Sequence, residues 1–180
     1  MKDVTIILDR SGSMNHLKNS VIEHFNNFLG EYKATGEKSS FSLVQFDHEI
    51  EKLIDNKPIQ KVKPLTLSDF NPRGTTSLND AVGITVQEKL KSFSAKTKVV
   101  IAIITDGLEN SSVEYTTEMV KRVINHGRAK GWKILFFGAN QDSILEGSKL
   151  GIGQDKSYDI DFSGLGVKFS LKKIYDELAD

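Results

Sequence analysis

The chain has 180 residues, 38% of them hydrophobic and 27% charged, which suits a single soluble domain spanning residues 1–180 that buries its core without cross-links. Its 24 basic and 24 acidic residues cancel, so bulk charge offers no hold on nucleic acid or a membrane surface. Cysteine is absent, which excludes disulfide frameworks, thiolate zinc sites and cysteine nucleophiles, and no apolar run approaches the roughly 20 residues of a membrane helix. An apolar strand begins almost at once, leaving no room for a signal peptide; the expected compartment is the cytoplasm, with a secreted fragment of a longer precursor as the alternative.

In chain order, residues 4–8 form a near-continuous apolar run, as expected of a parallel strand covered on both faces. Leu17, Val21, Phe25, Phe28 and Tyr32 recur at spacings of three and four, predicting an amphipathic helix that ends near Gly36. Residues 41–46 alternate and residues 49–54 follow after Asp47-His48, predicting a hairpin whose second strand is an edge. Residues 56–73 contain Pro58, Pro64 and Pro72 and read as loop and short turns. Leu78, Val82 and Leu90, with Ala81 and Phe93 on the same side, predict a second helix. Residues 99–104 are the most apolar stretch, predicting a central strand that ends in Thr105-Asp106-Gly107. Met119, Val120, Val123 and Ile124 mark a third helix closed by Gly127 or Gly131, and residues 132–137, opened by Trp132 as a packing residue, supply a strand ending at Gly138. A short helix over 142–149, a last strand over 158–160 and a helix carrying Val167, Leu171, Ile174 and Leu178 complete the series. On that last helix Lys168, Lys172, Lys173, Asp176 and Glu177 read as a solvated face. Strands alternating with helices predict an α/β domain, a mostly parallel sheet between two helical layers.

In an open parallel sheet, ligands gather outside the carboxyl ends of the strands, where the strand order reverses. Two apolar strands end there in an aspartate, Asp9 and Asp106. Asp9 opens Asp9-Arg10-Ser11-Gly12-Ser13, where Gly12 lets the backbone turn tightly between two serines. Arg73-Gly74-Thr75-Thr76-Ser77 precedes the second helix and adds hydroxyls and free helix amides at the same edge. Taken singly, these residues have commoner structural readings: strand-end aspartates as N-caps or Asx turns, Thr75, Thr76 and Ser77 as caps. Together they are a set of hard oxygen donors, which favours Mg²⁺, Mn²⁺ or Ca²⁺ over zinc or copper. Arg10 and Arg73 flank this edge, either steering an acidic ligand or simply solvated, while Glu109 and Asn110 lie on a loop that shapes the rim. His16, His24, His48 and His126 are scattered over different elements and do not read as a histidine metal site.

Asp9-x-Ser11-x-Ser13 after a strand, a threonine before a helix and Thr105-Asp106-Gly107 after the next parallel strand resemble the metal-ion-dependent adhesion site of von Willebrand factor type A domains, over residues 2–173. Segments 73–81, 105–110 and 131–140 are similar to small stand-alone members of that family in bacteria and phages. The resemblance implies a three-layer, Rossmann-like fold with a mostly parallel sheet, one antiparallel edge strand and helices on both faces. It implies that Ser11 and Ser13 ligate a metal directly, that Asp9 and Asp106 act partly through ordered waters, and that a threonine moves in and out of ligation. Counting back five from Ala81 selects Thr76, with Thr75 as second choice. It also implies a switch in which the C-terminal helix slides, with Gly164 and Gly166 as hinges, so that truncation after Gly166 alters ligand affinity rather than unfolding the domain.

Neutral hydroxyls in direct contact and carboxylates held back leave a divalent ion short of negative charge, with a position open to a carboxylate from a partner protein. Mg²⁺ suits this because it binds few protein ligands and keeps waters. The expected function is a non-enzymatic, metal-dependent protein-binding module that touches neither nucleic acid nor membrane. The alternative from another class is a metal-dependent phosphatase or phosphoryl-transfer enzyme, which wants a second carboxylate two residues after the first, and a lysine. Position 11 is serine, and neither a Gly-x-x-x-x-Gly-Lys loop nor a Gly-x-Ser-x-Gly elbow is present. A metal-free structural scaffold is the third reading.

Overall fold

A computed structural model describes residues 1–92 and 94–179, so Phe93, assigned above to the second helix, lies outside the described residues. Strands β1 (Lys2–Asp9), β2 (Ser39–Phe46), β3 (Ile50–Pro58), β4 (Lys98–Thr105), β5 (Lys133–Ala139) and β6 (Ser157–Ile160) form one sheet in the order β3-β2-β1-β4-β5-β6. The β2–β3 pair at one edge is antiparallel and the remaining pairs are parallel. Helices α1 (Lys18–Ala34), α2 (Leu78–Ser92), α3 (Thr117–Ala129), α4 (Ser143–Lys149) and α5 (Gly164–Ala179) cover the sheet. The three-layer arrangement with one antiparallel edge strand is the expected one.

Its alternation explains the apolar runs. Val4, Ile6, Leu8, Phe41 and Leu43 face α1 and α5, whereas Ile7, Val44, Phe46, Ile101 and Ile103 face α2 and α3. Both faces of the central strands are buried, so few polar residues are tolerated there. The chain leaves β1 for β2 and β3 on one side and returns to β4 on the other. Leu8 pairs with Ile104, which brings Asp9 and Asp106 out side by side at the carboxyl edge.

Several local expectations need correction. Residues Gly12–Leu17 form a 3₁₀ helix before α1, which tucks Met14 and Leu17 beneath the loop carrying the serines. The proline-containing stretch covers part of the core, because Ile59, Val62, Leu65 and Phe70 are buried. Pro58 is accommodated as the last residue of an edge strand. Gly127 lies inside α3, where a Cβ would come 2.7 Å from a Trp132 ring atom; Gly131, with φ of 81°, follows the helix end. Gly164 and Gly166 belong to the first turn of α5 rather than to a linker before it, and a Cβ on Gly166 would meet the Asp161 carbonyl oxygen at 2.0 Å. Glu177 is not part of a solvated face: its carboxylate pairs with Lys156 at 2.5 Å and Lys133 at 3.3 Å. Among the described residues no helix is long and apolar enough to cross a membrane.

Candidate metal centre

Asp9, at the end of β1, is fully buried, and both carboxylate oxygens are held: the Ser11 amide donates to Oδ1 at 2.7 Å and the Thr105 hydroxyl to Oδ2 at 2.7 Å. Ser11 Oγ lies 3.1 Å from Ser13 Oγ and 3.4 Å from Asp106 Oδ1. Asp106 is buried, and its Oδ2 has no hydrogen-bond partner among the described residues. Thr76 is also buried, its hydroxyl facing Gly107, where a Cβ would lie 3.5 Å from it. Thr75 is exposed and donates instead to Ser111 Oγ at 2.9 Å. The fold therefore gathers Asp9, Ser11, Ser13 and Asp106, sets Thr76 against Gly107 beside Asp106, and turns Thr75 outward.

This arrangement is electrostatically uncomfortable by itself. Burial pushes the Asp9 carboxyl up from an ordinary 3.8 to about 6, against the hydrogen bonds from Thr105 and Ser11; the nearby Asp106 charge adds to the rise. Two buried carboxylates, one of them with an oxygen that has no partner among the described residues, and two serine hydroxyls form an all-oxygen donor set that carries no positive charge of its own. Such a set fits a hard divalent cation and offers nothing to a soft one.

The loops that carry these donors are tied together by a charge network. Arg10 does not point to solvent. It is buried, its Nε donating to Asp47 Oδ2 at 3.1 Å and its Nη1 to Gln45 and Glu51. Arg73 is half exposed, yet it donates to the same Asp47 oxygen at 3.0 Å and to Glu49. Burial pushes the Asp47 carboxyl up, but the Glu49 amide and the two guanidinium groups outweigh it and hold the group below the usual carboxylate range. Backbone bonds complete the lock: Ser77 N–H donates to Asp47 O, Gly12 N–H to Gly74 O and Arg73 N–H to Arg10 O. Neither arginine is therefore a free steering group. Asp47, His48 and Glu49 do present ligand atoms within 4.8 Å of one another. Both Asp47 oxygens and one from Glu49 are already engaged, so these residues read first as the acidic half of this network.

The loop after β4 was expected to form the rim, and its acidic residue proves internal. Glu109 accepts from the amides of Asn79, Ser111 and Ser112, so its carboxylate sits on the N-terminus of α2. Asn110 accepts from the Thr76 amide at 2.9 Å and donates its own amide to Thr76 O at 3.0 Å. Asp80, buried in the first turn of α2, accepts from the amides of Val113, Glu114 and Tyr115. Sequence reasoning missed Asp47 and Asp80; each is an acidic residue beside a turn or helix start, a signal shared with many ordinary caps.

No curated protein matches this chain. Among solved structures, proximal thread matrix protein 1 from the mussel byssus "with zinc occupied MIDAS motif" superposes with a TM-score of 0.68 at 15% identity, over 98% of this chain and 45% of that one. The vWF domain of the type V pili tip protein Mfa5 from Porphyromonas gingivalis gives 0.68 at 11% identity, over 99% and 95%. The pilus adhesin SpaC from Lactobacillus rhamnosus GG gives 0.75 at 14% identity, over 97% and 29%. The chain thus spans less than half the length of the byssus protein, and at these identities the likeness concerns the fold alone. The sequence itself carries the family: residues 3–161, from β1 to just beyond β6, match the von Willebrand factor type A domain profile, and with the sheet order found here the chain belongs to the von Willebrand factor type A domain family.

Proposed function

We propose that this domain is a divalent-metal-dependent protein-binding module rather than an enzyme, in which Asp9, Ser11, Ser13, Thr76 and Asp106 hold Mg²⁺, with Mn²⁺ or Ca²⁺ as substitutes. The observation that carries the reading is the Asp106 Oδ2 atom, buried without a hydrogen-bond partner among the described residues beside Ser11 and the buried Asp9 carboxylate. When bound, the ion would supply a Lewis-acidic position able to take a carboxylate oxygen from a partner protein. Thr76 is preferred to Thr75 because it is buried against the Asp106 loop, whereas the Thr75 hydroxyl is exposed and engaged with Ser111. The charge network around Asp47 positions the loops without placing a free cation over the site, so attraction of an acidic ligand falls to the metal. Against phosphoryl transfer stands Ser11, occupying the position where that chemistry wants a carboxylate.

Titration calorimetry with Mg²⁺, Mn²⁺ and Ca²⁺ tests the site. The wild type is expected to bind, and Ser11→Ala and Asp106→Ala to lose most of the affinity. No divalent binding by the wild type, or equal binding by both variants, overturns the proposal. Release of phosphate from a generic ester only when Mg²⁺ is present would move the domain into the enzyme class.

A further inference from the structure

The loop between β4 and α3 has no regular structure, yet its backbone is fixed amide by amide. Six consecutive N–H groups, from Asn110 to Tyr115, each donate to a protein acceptor: Asn110 to Thr76 O, Ser111 and Ser112 to the Glu109 carboxylate, and Val113, Glu114 and Tyr115 to the Asp80 carboxylate. The Ser111 hydroxyl is bonded to those of Thr75 and Ser77, on the segment that leads into α2. Connecting loops ordinarily leave such groups to water and stay mobile. With its polar backbone turned inward, this one displays apolar side chains: Leu108, two residues beyond Asp106, is 54% exposed, and Val113 is 90% exposed.

A single exposed leucine or valine is common on protein surfaces. These two differ in standing on a backbone that is already ordered, on the loop that carries Asp106, so a partner packing on them gives up little conformational entropy. The surrounding charges narrow what that partner brings. A metal ion at the centre takes one carboxylate. Arg10 and Arg73, on the flanking loops, are committed to Asp47, Glu49 and Glu51, and Glu114, exposed beside Val113, repels a second acid. What this side of the rim offers beyond the ion is apolar contact.

We propose that Leu108 and Val113 set the specificity of the metal centre, selecting a partner protein segment whose acidic residue is flanked by large apolar side chains. This rests on the reading of Asp9, Ser11, Ser13, Thr76 and Asp106 as a metal centre, and adds to it the chemistry on either side of the partner's carboxylate.

Three end-blocked tripeptides test it, each with an aspartate between two leucines, two glycines or two lysines, titrated into the full chain in Mg²⁺ and in EDTA and followed by nitrogen–proton correlation NMR. In Mg²⁺ the leucine peptide is expected to bind about tenfold more tightly than the glycine peptide, more tightly also than the lysine peptide, and to move the Leu108 and Val113 amides saturably. In EDTA these shifts are expected to vanish. Leu108→Asn and Val113→Thr keep side-chain size and replace apolar atoms. Combined, they should bring the leucine peptide to within about twofold of the glycine peptide, with the affinities for the glycine peptide and for Mg²⁺ unchanged. Absence of a saturable, Mg²⁺-dependent response to the leucine peptide, equal binding of the leucine and glycine peptides, tightest binding of the lysine peptide, or an undiminished leucine preference in the double variant overturns this proposal and leaves the metal centre standing. A wild type that binds no divalent ion overturns both.

Discussion

The tension in the metal centre is concentrated in Asp9. Its carboxyl titrates near 6 in the fold instead of 3.8, chiefly because burial disfavours the charged form. A raised folded-state value means that the native protein holds this proton more tightly than the unfolded chain. Asp9 therefore contributes stability that is fully present below pH 3.8 and is lost as pH rises through about 6. In EDTA, the stability difference between Asp9→Asn and wild type should grow in favour of the variant by about 2–3 kcal/mol between pH 4 and pH 7. Urea melts at several pH values read the slope, which the pH-independent loss of a Thr105 acceptor does not alter. A flat difference would mean that Asp9 is not desolvated. With divalent ion present the sign reverses in its consequence: charged Asp9 is the ligand form, so metal affinity should rise through the same interval.

At the scale of elements, the metal centre depends on how the loop after β4 is fastened to α2. Three consecutive amides of that loop, from Val113 to Tyr115, converge on the buried Asp80 carboxylate, and Tyr115 lies so close to Gly83 that a Cβ there would meet its ring at 2.2 Å. Asp80→Asn keeps the shape but removes the charge and turns an amide group toward donors. It should destabilise the domain by about 3 kcal/mol in denaturant melts and weaken Mg²⁺ binding, since Asn110 on this loop also holds Thr76. Stability within about 0.5 kcal/mol of wild type would show that the carboxylate is not the anchor. This fastening was not legible in the sequence. An acidic residue in the first turn of a helix reads as a partner for the helix's own dipole, and only the fold brings a distant loop's amides to it. Arg10 misled in a similar way: beside Asp9 it reads as an exposed neighbour of the site, and its burial depends on Asp47 and Glu51 arriving on another hairpin. The strands and helices were legible because each buries a face whose period of two or 3.6 is local.

For the molecule as a whole, the open question is whether α5 is a movable element or part of the core. The family resemblance suggests a sliding helix, but Val167, Leu171, Ile174 and Leu178 are all buried, in one cluster with residues from α1, β4 and β5. Its C-terminal turn is also tied down by Glu177, which pairs with lysines from β5 and from the turn preceding β6. The glycines in its first turn allow close approach rather than bending, as the 2.0 Å clash at Gly166 indicates. Burying four such side chains contributes at most about 6–12 kcal/mol, comparable with the roughly 5–15 kcal/mol that holds a domain of this kind together. Truncation after Gly166 should therefore abolish the cooperative thermal transition seen by circular dichroism, and with it the metal-binding heat, rather than retune affinity in an intact fold. Leu171→Ala, which leaves the helix in place, should lose about 2–5 kcal/mol of stability and keep wild-type Mg²⁺ affinity. A truncated chain that still melts cooperatively, or a folded Leu171→Ala variant with altered metal affinity, would make α5 a switch coupled to the carboxyl edge of the sheet.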